Sequence, residues 1–443
     1  MLTLLCDFTS VIKTVGYVLL AFVVLMVMVL IHETGHYTAG KLLGFQINEF
    51  SVGMGPKIFS HKKKNGEVIS LRALPLGGFC AFEGENDDTD NPKAFHKQKP
   101  WKRLIVLFAG AFFNFVSAIL IAIIVFACYG ETVVVVNNVY EYAPQSNYEQ
   151  LQSGDIIYKV NGKRVYILDS LGRYFTDDPM TFTVLRPATT ADGEIVRDTK
   201  GRIVYEQKEL QNIIQDEFAT VTISKIDGEY LSNDDVQRKL SAGDLIYKVN
   251  GELLGKRNQF GELWMTSDET CVLTVSDGEK TYDYVLDSSL LSSGQLTVAE
   301  TPYTGVGMSI HYEKYRFGFG ETLIRVVPYC CEVGMLVLRT LGGLLTGAVG
   351  IESVGGPITT IKMTSEVVQT GFGNVLMLIV LISVNLAVFN LLPVPALDGC
   401  QMIFVIIEWI ARKPINRKVQ GYINGIGLIV LIALMLLIDI LKL

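Results

Sequence analysis

Residues 32–36 read His-Glu-Thr-Gly-His. On a helix, His32 and His36 are four apart and share one face, so their imidazoles can hold one zinc ion, with Glu33 beside it as proton acceptor for water. Zinc makes water acidic enough to supply a hydroxide nucleophile near neutral pH. The motif directly follows an uncharged run at residues 14–31. Ionisable groups are costly in a membrane helix and are usually functional there. The plainer reading is that the two histidines mark the interfacial end of that first transmembrane helix.

Catalytic zinc usually takes three protein ligands and leaves a position for water. Asp398, in Asn390-Leu-Leu-Pro393-Val-Pro395-Ala-Leu-Asp398-Gly399, is the candidate for the third. It ends an apolar run, and Pro393 and Pro395 must break the helix before it. Irregular backbone at that depth is tolerated only around a cavity or packed protein. An interfacial aspartate that caps the next helix reads equally well from these residues alone.

The elements that must position these groups are membrane helices. The 443 residues are 49% hydrophobic and 19% charged, too apolar for an ordinary soluble protein. Uncharged runs at 14–31, 104–130, 371–397 and 421–438 each approach the roughly 20 residues that cross a hydrocarbon core. The first has one preceding lysine, Lys13, and no small-x-small cleavage site, so it reads as a retained helix. A net charge of −7 without a basic, aromatic-interleaved run argues against nucleic acid. Seven cysteines without a C-x-x-C pair suggest neither a cysteine metal site nor a disulfide framework. Eleven Lys/Arg fall between Thr38 and Arg103, and Arg412, Lys413, Arg417 and Lys418 precede the last run. The positive-inside rule puts both loops in the cytoplasm, and both chain ends and the middle region outside.

Ser153-Gly-Asp-Ile-Ile-Tyr-Lys-Val-Asn-Gly162 returns as Ala242-Gly-Asp-Leu-Ile-Tyr-Lys-Val-Asn-Gly251, 89 residues later. So long a period means two copies of a domain. In each, a strand is followed by an Asn-Gly turn, and residues 187–208 read as a hairpin inserted in the first copy. Whether such a pair binds ligand or only spaces the membrane parts is left open by these residues. Residues 317–347 carry Glu321, Arg325, Glu332 and Arg339 at spacings of four and seven, which predicts an amphipathic helix on the outer membrane surface. In the first basic loop, residues 57–61 and 67–73 flank Asn65-Gly66, a hairpin turn signal. The strand Glu67, Val68, Ile69, Ser70, Leu71, Arg72 and Ala73 is the expected edge for pairing with an unfolded substrate strand. A surface hairpin of no catalytic meaning is the alternative.

His-Glu-Thr-Gly-His followed far downstream by Asn-x-x-Pro-x-x-x-Leu-Asp-Gly resembles the site-2 protease family of intramembrane metalloproteases. The repeated Gly-Asp…Val-Asn-Gly units resemble PDZ domains, and two of them between the second and third spans resemble the bacterial regulator of sigma-E protease type. The likeness extends to Gly53-Met-Gly55-Pro, Gly355-Gly356-Pro357 and Arg412-Lys413-Pro414. Two departures occur: Cys400-Gln401 follows Gly399, and Ala111 stands where the family often has proline in Gly110-Ala-Phe-Phe-Asn114.

The resemblance implies His32, His36 and Asp398 as zinc ligands, Glu33 as base, and Asn390 as a polar group facing the substrate backbone. It likens the hairpin to the family's membrane-associated β-loop. The implied fold is a polytopic α-helical membrane protein of four transmembrane helices, with a cytoplasmic β-hairpin and two extracytoplasmic PDZ-like α+β domains. The expected divisions are 1–130 (motif helix, β-loop, second span), 131–221 and 222–306 (PDZ-like), 307–370 (surface helix) and 371–443 (Leu-Asp-Gly motif, last span). The expected activity is zinc endopeptidase cleavage of single-span membrane proteins already cut outside, such as an anti-sigma factor or a remnant signal peptide. Its setting is a bacterial cell membrane, with lipid and the C-terminal tails of trimmed substrates as further partners. The alternative is a membrane scaffold with a degenerate metal site whose PDZ-like pair binds protein tails.

Overall fold

The computed structural model describes residues 2–85, 89–140, 143–233, 237–256, 258–265, 270–276, 281–350, 355 and 357–441. The first apolar run lies in α1 (Leu2–Leu43), whose apolar window is Leu19–Leu43. The motif is therefore inside the helix, not at its end as expected. The chain after His36, Tyr-Thr-Ala-Gly-Lys-Leu-Leu, has no proline and only the single glycine Gly40, which a long helix tolerates, and the helix ends at Gly44, where Phe45 N–H closes the last turn on Gly40 O at 2.9 Å.

The Asn65-Gly66 hairpin forms, and it is longer than the sequence suggests: β1 (Ile47–Lys62) pairs antiparallel with β2 (Val68–Phe82). Both strands fold back on themselves. Ser51 faces Ser70 on one side and Phe79 on the other, while Ser70 also faces Ser60. The spatial order is thus 57–62, 68–72, 49–52, 78–82. Gly53 makes the fold-back possible: its φ is +82°, and a Cβ there would lie 2.7 Å from Leu74 O. Residues 67–73 are not an edge, because the strand they belong to is paired on both sides. The edges are residues 57–62 and 77–82, and among the described residues the second has no strand partner beyond 47–52.

The chain then enters α2 (Pro100–Tyr129), with proline in its first turn. The chain divides into two compact units, residues 1–131 with 315–443, and residues 132–314. The second unit holds β3 (Glu131–Val139), α3 (Gln145–Gln150), β4 (Ile156–Val160), β5 (Lys163–Arg164), α4 (Leu168–Tyr174), β6 (Met180–Pro187) and β7 (Tyr205–Ile213). It continues with β8 (Asp216–Ile226), β9 (Leu245–Val249), β10 (Glu252–Leu253), α5 (Gln259–Met265), β11 (Thr270–Ser276), β12 (Thr281–Asp287), α6 (Ser289–Ser292), β13 (Leu296–Gly305) and β14 (Met308–Tyr315). One sheet runs β14-β3-β4-β6-β7 with β5 on β4, the other β12-β11-β9-β8-β13 with β10 on β9.

The two sequence repeats are β4 and β9, one in each sheet. Their turn residues Asn161 and Asn250 have φ of 49° and 52°, which asparagine tolerates. The repeated aspartates do the same local job. Asp155 binds Arg186 and Gln152 N–H, and Asp244 binds Arg238 and Ser241 N–H. The domain limits differ from those expected. Strand β14, expected within the 307–370 segment, returns to the first sheet beside β3, so residues 216–305 form an insertion in the first domain. A lone closing strand has no repeat to betray it.

The remaining elements are α7 (Phe319–Thr346), α8 (Pro357–Gln369), α9 (Phe372–Asn390), α10 (Asp398–Ala411) and α11 (Arg417–Leu441). Gly356 of the Gly355-Gly356-Pro357 motif lies outside the described residues. Among the described residues four helices are long and apolar enough to cross a membrane, in α1, α2, α9 and α11. Helix α7 exists where an amphipathic helix was expected, with its polar face reversed. Arg325 is buried in a two-bonded pair with Glu131, at 2.7 Å for each bond, and Arg339 binds Glu332. Leu323, Ile324, Val327, Met335 and Leu338 are exposed instead. Pairing charges against protein and presenting the apolar face outward is what a lipid environment favours.

Candidate metal centre

Helices α1 and α2 cross at glycines. A Cβ on Gly35 would lie 2.3 Å from Ala109 O, and one on Gly110 would lie 2.5 Å from His36 Nε2 and 2.6 Å from His32 Cε1. The bare backbone of Gly110 thus forms the floor under both imidazoles. Asp398 arrives from the other side. Helix α9 stops at Asn390, residues 391–397 form a broken segment containing both prolines, and Asp398 opens α10. The expected break is present, and the apolar run that seemed continuous to Leu397 is not one helix. A Cβ on Gly399 would strike the carbonyls of Leu391 and Leu392 at 2.3–2.4 Å, which explains glycine after the aspartate. Asn424 of α11 accepts from Ala396 N–H at 3.3 Å and steadies the segment.

Three donor atoms converge. His32 Nε2 and His36 Nε2 are 3.0 and 3.2 Å from Asp398 Oδ2, and 3.1 Å from each other. Ligands about 2.0–2.1 Å from a tetrahedral zinc stand roughly 3.3 Å apart, so the spacing is that of a zinc triad. The Asp398 Oδ2 atom is buried without a hydrogen-bond partner, and both histidines are buried. Such a cluster is costly unless a cation holds it. His36 Nδ1 donates to Val106 O at 2.8 Å, which leaves the Nε2 lone pair directed inward.

Asn114 was legible only as part of a family-like pattern, and it proves to be fully buried beside His32 Nδ1, at 3.4 Å. Asn390 is also beside that nitrogen, at 3.5 Å. Glu33 lines the same cavity of about 400 Å³ with His32, His36, Asn390 and Asp398. Its side chain lies against the outer strand of the sheet, where a Cβ on Gly78 would stand 3.8 Å from Glu33 Cγ. Val29, Met54, Phe79 and Leu386 give the cavity an apolar wall. Of the expected substrate-binding strand, none of residues 67–73 lines this cavity. Gly78, Phe79 and Cys80 do.

The sequence pattern of Peptidase family M50 matches residues 20–434. The chain belongs to that family. It is a zinc metalloprotease of the site-2 protease type. Relatives named as zinc metalloproteases include one from Pasteurella multocida, 27% identical over 93% of this chain and 95% of its own, and one from Clostridium perfringens, 28% identical over 96% and 97%. The zinc metalloprotease RasP of Bacillus licheniformis is 28% identical over 95% and 97%. The scaffold alternative required a degenerate metal site, whereas the whole donor set is present.

His32, His36 and Asp398 would hold the zinc. Zinc in that position supplies Lewis acidity, polarising a carbonyl and making water a stronger acid. Val106 O orients His36, and the Glu33 carboxylate shares the cavity with the three donors, a position from which a base would act on water.

Proposed function

We propose that the protein is an intramembrane endopeptidase that cuts single-span membrane proteins within or near their transmembrane segment, after another protease has shortened them outside. His32, His36 and Asp398 are the zinc ligands and Glu33 the general base. The observation that carries this reading is the unpaired strand edge at residues 77–82 beside Glu33. A peptide bond in a helix is shielded by its own hydrogen bonds, so the substrate must unwind. An open strand edge next to the base offers replacement backbone bonds. The clamp first assigned to residues 67–73 moves to this edge, and Asn390, which lines the same cavity, is the polar group for the substrate backbone.

The two sheet domains are PDZ-like units that receive the trimmed C-terminal tail. The protein sits in a bacterial cell membrane with both termini and these domains outside and the metal near the cytoplasmic face. Anti-sigma factors and remnant signal peptides are the substrate class that fits. Labels at Lys63 and Lys413 should then react only from the cytoplasmic side, and labels at Lys208 only from outside. Reaction of Lys63→Cys with an impermeant reagent in intact cells would reverse the orientation.

The activity is tested with the purified full-length chain in lipid vesicles, given a single-span substrate in intact and externally shortened forms. Cleavage should map inside the apolar segment and be faster for the shortened form. Equal rates on the shortened form and on an unfolded soluble protein would defeat the intramembrane reading.

A further inference from the structure

Glu33, Tyr37 and Lys41 stand at intervals of four on α1, so they form one stripe. Each meets a different strand of the β1–β2 sheet. Glu33 lies against the outer strand, where a Cβ on Gly78 would stand 3.8 Å from its Cγ. The Tyr37 ring packs edge-on against Phe50 of the adjacent strand, with centroids 5.1 Å apart. Tyr37 Oη and Lys41 Nζ both donate to Glu67, where the third strand begins, the tyrosine at 2.8 Å. The Glu67 side chain is fully buried and also accepts from Lys63 Nζ at 3.1 Å and Asn65 Nδ2 at 3.2 Å. Burial alone would push its carboxyl up, but these four donors outweigh burial and hold it at about 2. It therefore stays ionised across the physiological range.

We infer that Glu67 is a positioning residue: its carboxylate, gripped by Tyr37 and Lys41, fixes how the sheet lies across α1 and so sets the outer strand against Glu33. It is not a substrate-binding group, because its oxygens are occupied and buried. The inference deepens the proposed function and rests on Glu33 as base. The sheet meets this stripe at three points, and Glu67 is the farthest from the metal. With that anchor gone, the sheet can pivot about the Phe50–Tyr37 contact and lift residues 77–82 from the base. A displacement of about 1 Å at a catalytic group costs on the order of 100-fold in rate.

The test uses the full-length zinc-loaded chain and two readouts. One is kcat per bound zinc on a single-span substrate. The other is the alkylation rate of the Cys80 thiol by a neutral maleimide, resolved by mass spectrometry. Cys80 is half-buried on the outer strand, so it reports docking without reference to catalysis. Glu67→Ala should keep its zinc, lose about 100-fold in kcat and show a roughly tenfold faster Cys80 reaction as burial is relieved. Glu67→Gln, which keeps part of the hydrogen bonding, should fall between on both. Glu49→Gln is the control: Glu49 pairs with Lys57 and Arg72 in the same sheet, and its loss should leave both readouts near wild type.

Wild-type kcat in Glu67→Ala overturns the inference, and so does a lowered kcat with unchanged Cys80 reactivity. If Glu67→Ala fails to fold, the same two readouts on Glu67→Gln decide. Should Glu33→Gln stay active, the base assignment fails, while the Cys80 rate still reports whether Glu67 docks the sheet.

Discussion

Glu33→Gln retains a full complement of zinc and loses about 10²–10⁴-fold in kcat, the range a positioned general base contributes. The amide keeps the size and shape of the side chain against the outer strand, so the cavity and the strand stay in place. It cannot take a proton. Alanine at His32, His36 or Asp398 gives the opposite signature. Each removes one of three atoms that meet within 3.2 Å, and zinc content falls together with activity. Metal analysis beside the cleavage assay separates the two classes. Full zinc in Asp398→Ala would remove that carboxylate from the ligand set, and zinc loss in Glu33→Gln would move Glu33 into it.

Gly110→Ala is expected to lose zinc although it touches no ligand by sequence and lies in the middle of a helix. In an exposed helix interior, alanine for glycine would stabilise by about 1 kcal/mol. Here the added methyl carbon would lie 2.5 Å from His36 Nε2 and 2.6 Å from His32 Cε1, well inside van der Waals contact. The histidines cannot both retreat, since His36 is tied to Val106 O and α1 is pressed to α2 at Gly35. One imidazole must rotate off the metal. Disturbing a ligand's support typically costs 10–100-fold in metal affinity, and distortion of the ligand itself should exceed the low end of that range. Gly421→Ala, where a Cβ meets nothing within 4 Å, should bind zinc and cleave as wild type. Normal zinc affinity in Gly110→Ala would show that the α1–α2 crossing is looser than this packing.

Much of the site was legible because its signals are local. Spacing of four on one helix makes His32 and His36 a pair in any sequence, and the prolines after Asn390 announce a broken helix. Asp398 reads equally as ligand or cap in the sequence, and the fold sets its Oδ2 beside both Nε2 atoms. Asn114 and Gly110 carried no chemistry of their own in the sequence. Their roles come from facing the histidines across a helix crossing, and no spacing along α2 reveals that.

The His32/His36 pair, the glutamate beside it, the four apolar helices, the Asn-Gly hairpin and the repeat in the middle region were all readable from the residues alone. Each of these rests on residues within a few positions of one another, or on a pattern repeated along the chain. Which strands lie at the edges, where the inserted domain closes and which way α7 turns its charges came from the folded arrangement. Strand order depends on pairing between residues distant in sequence: Ser51 with both Ser70 and Phe79, and β14 with β3. A helix's charge stripe likewise has two possible directions, and the partner at Glu131 settled the one Arg325 takes. Alternation and periodicity specify a face, but the neighbour that covers it is supplied by the rest of the fold.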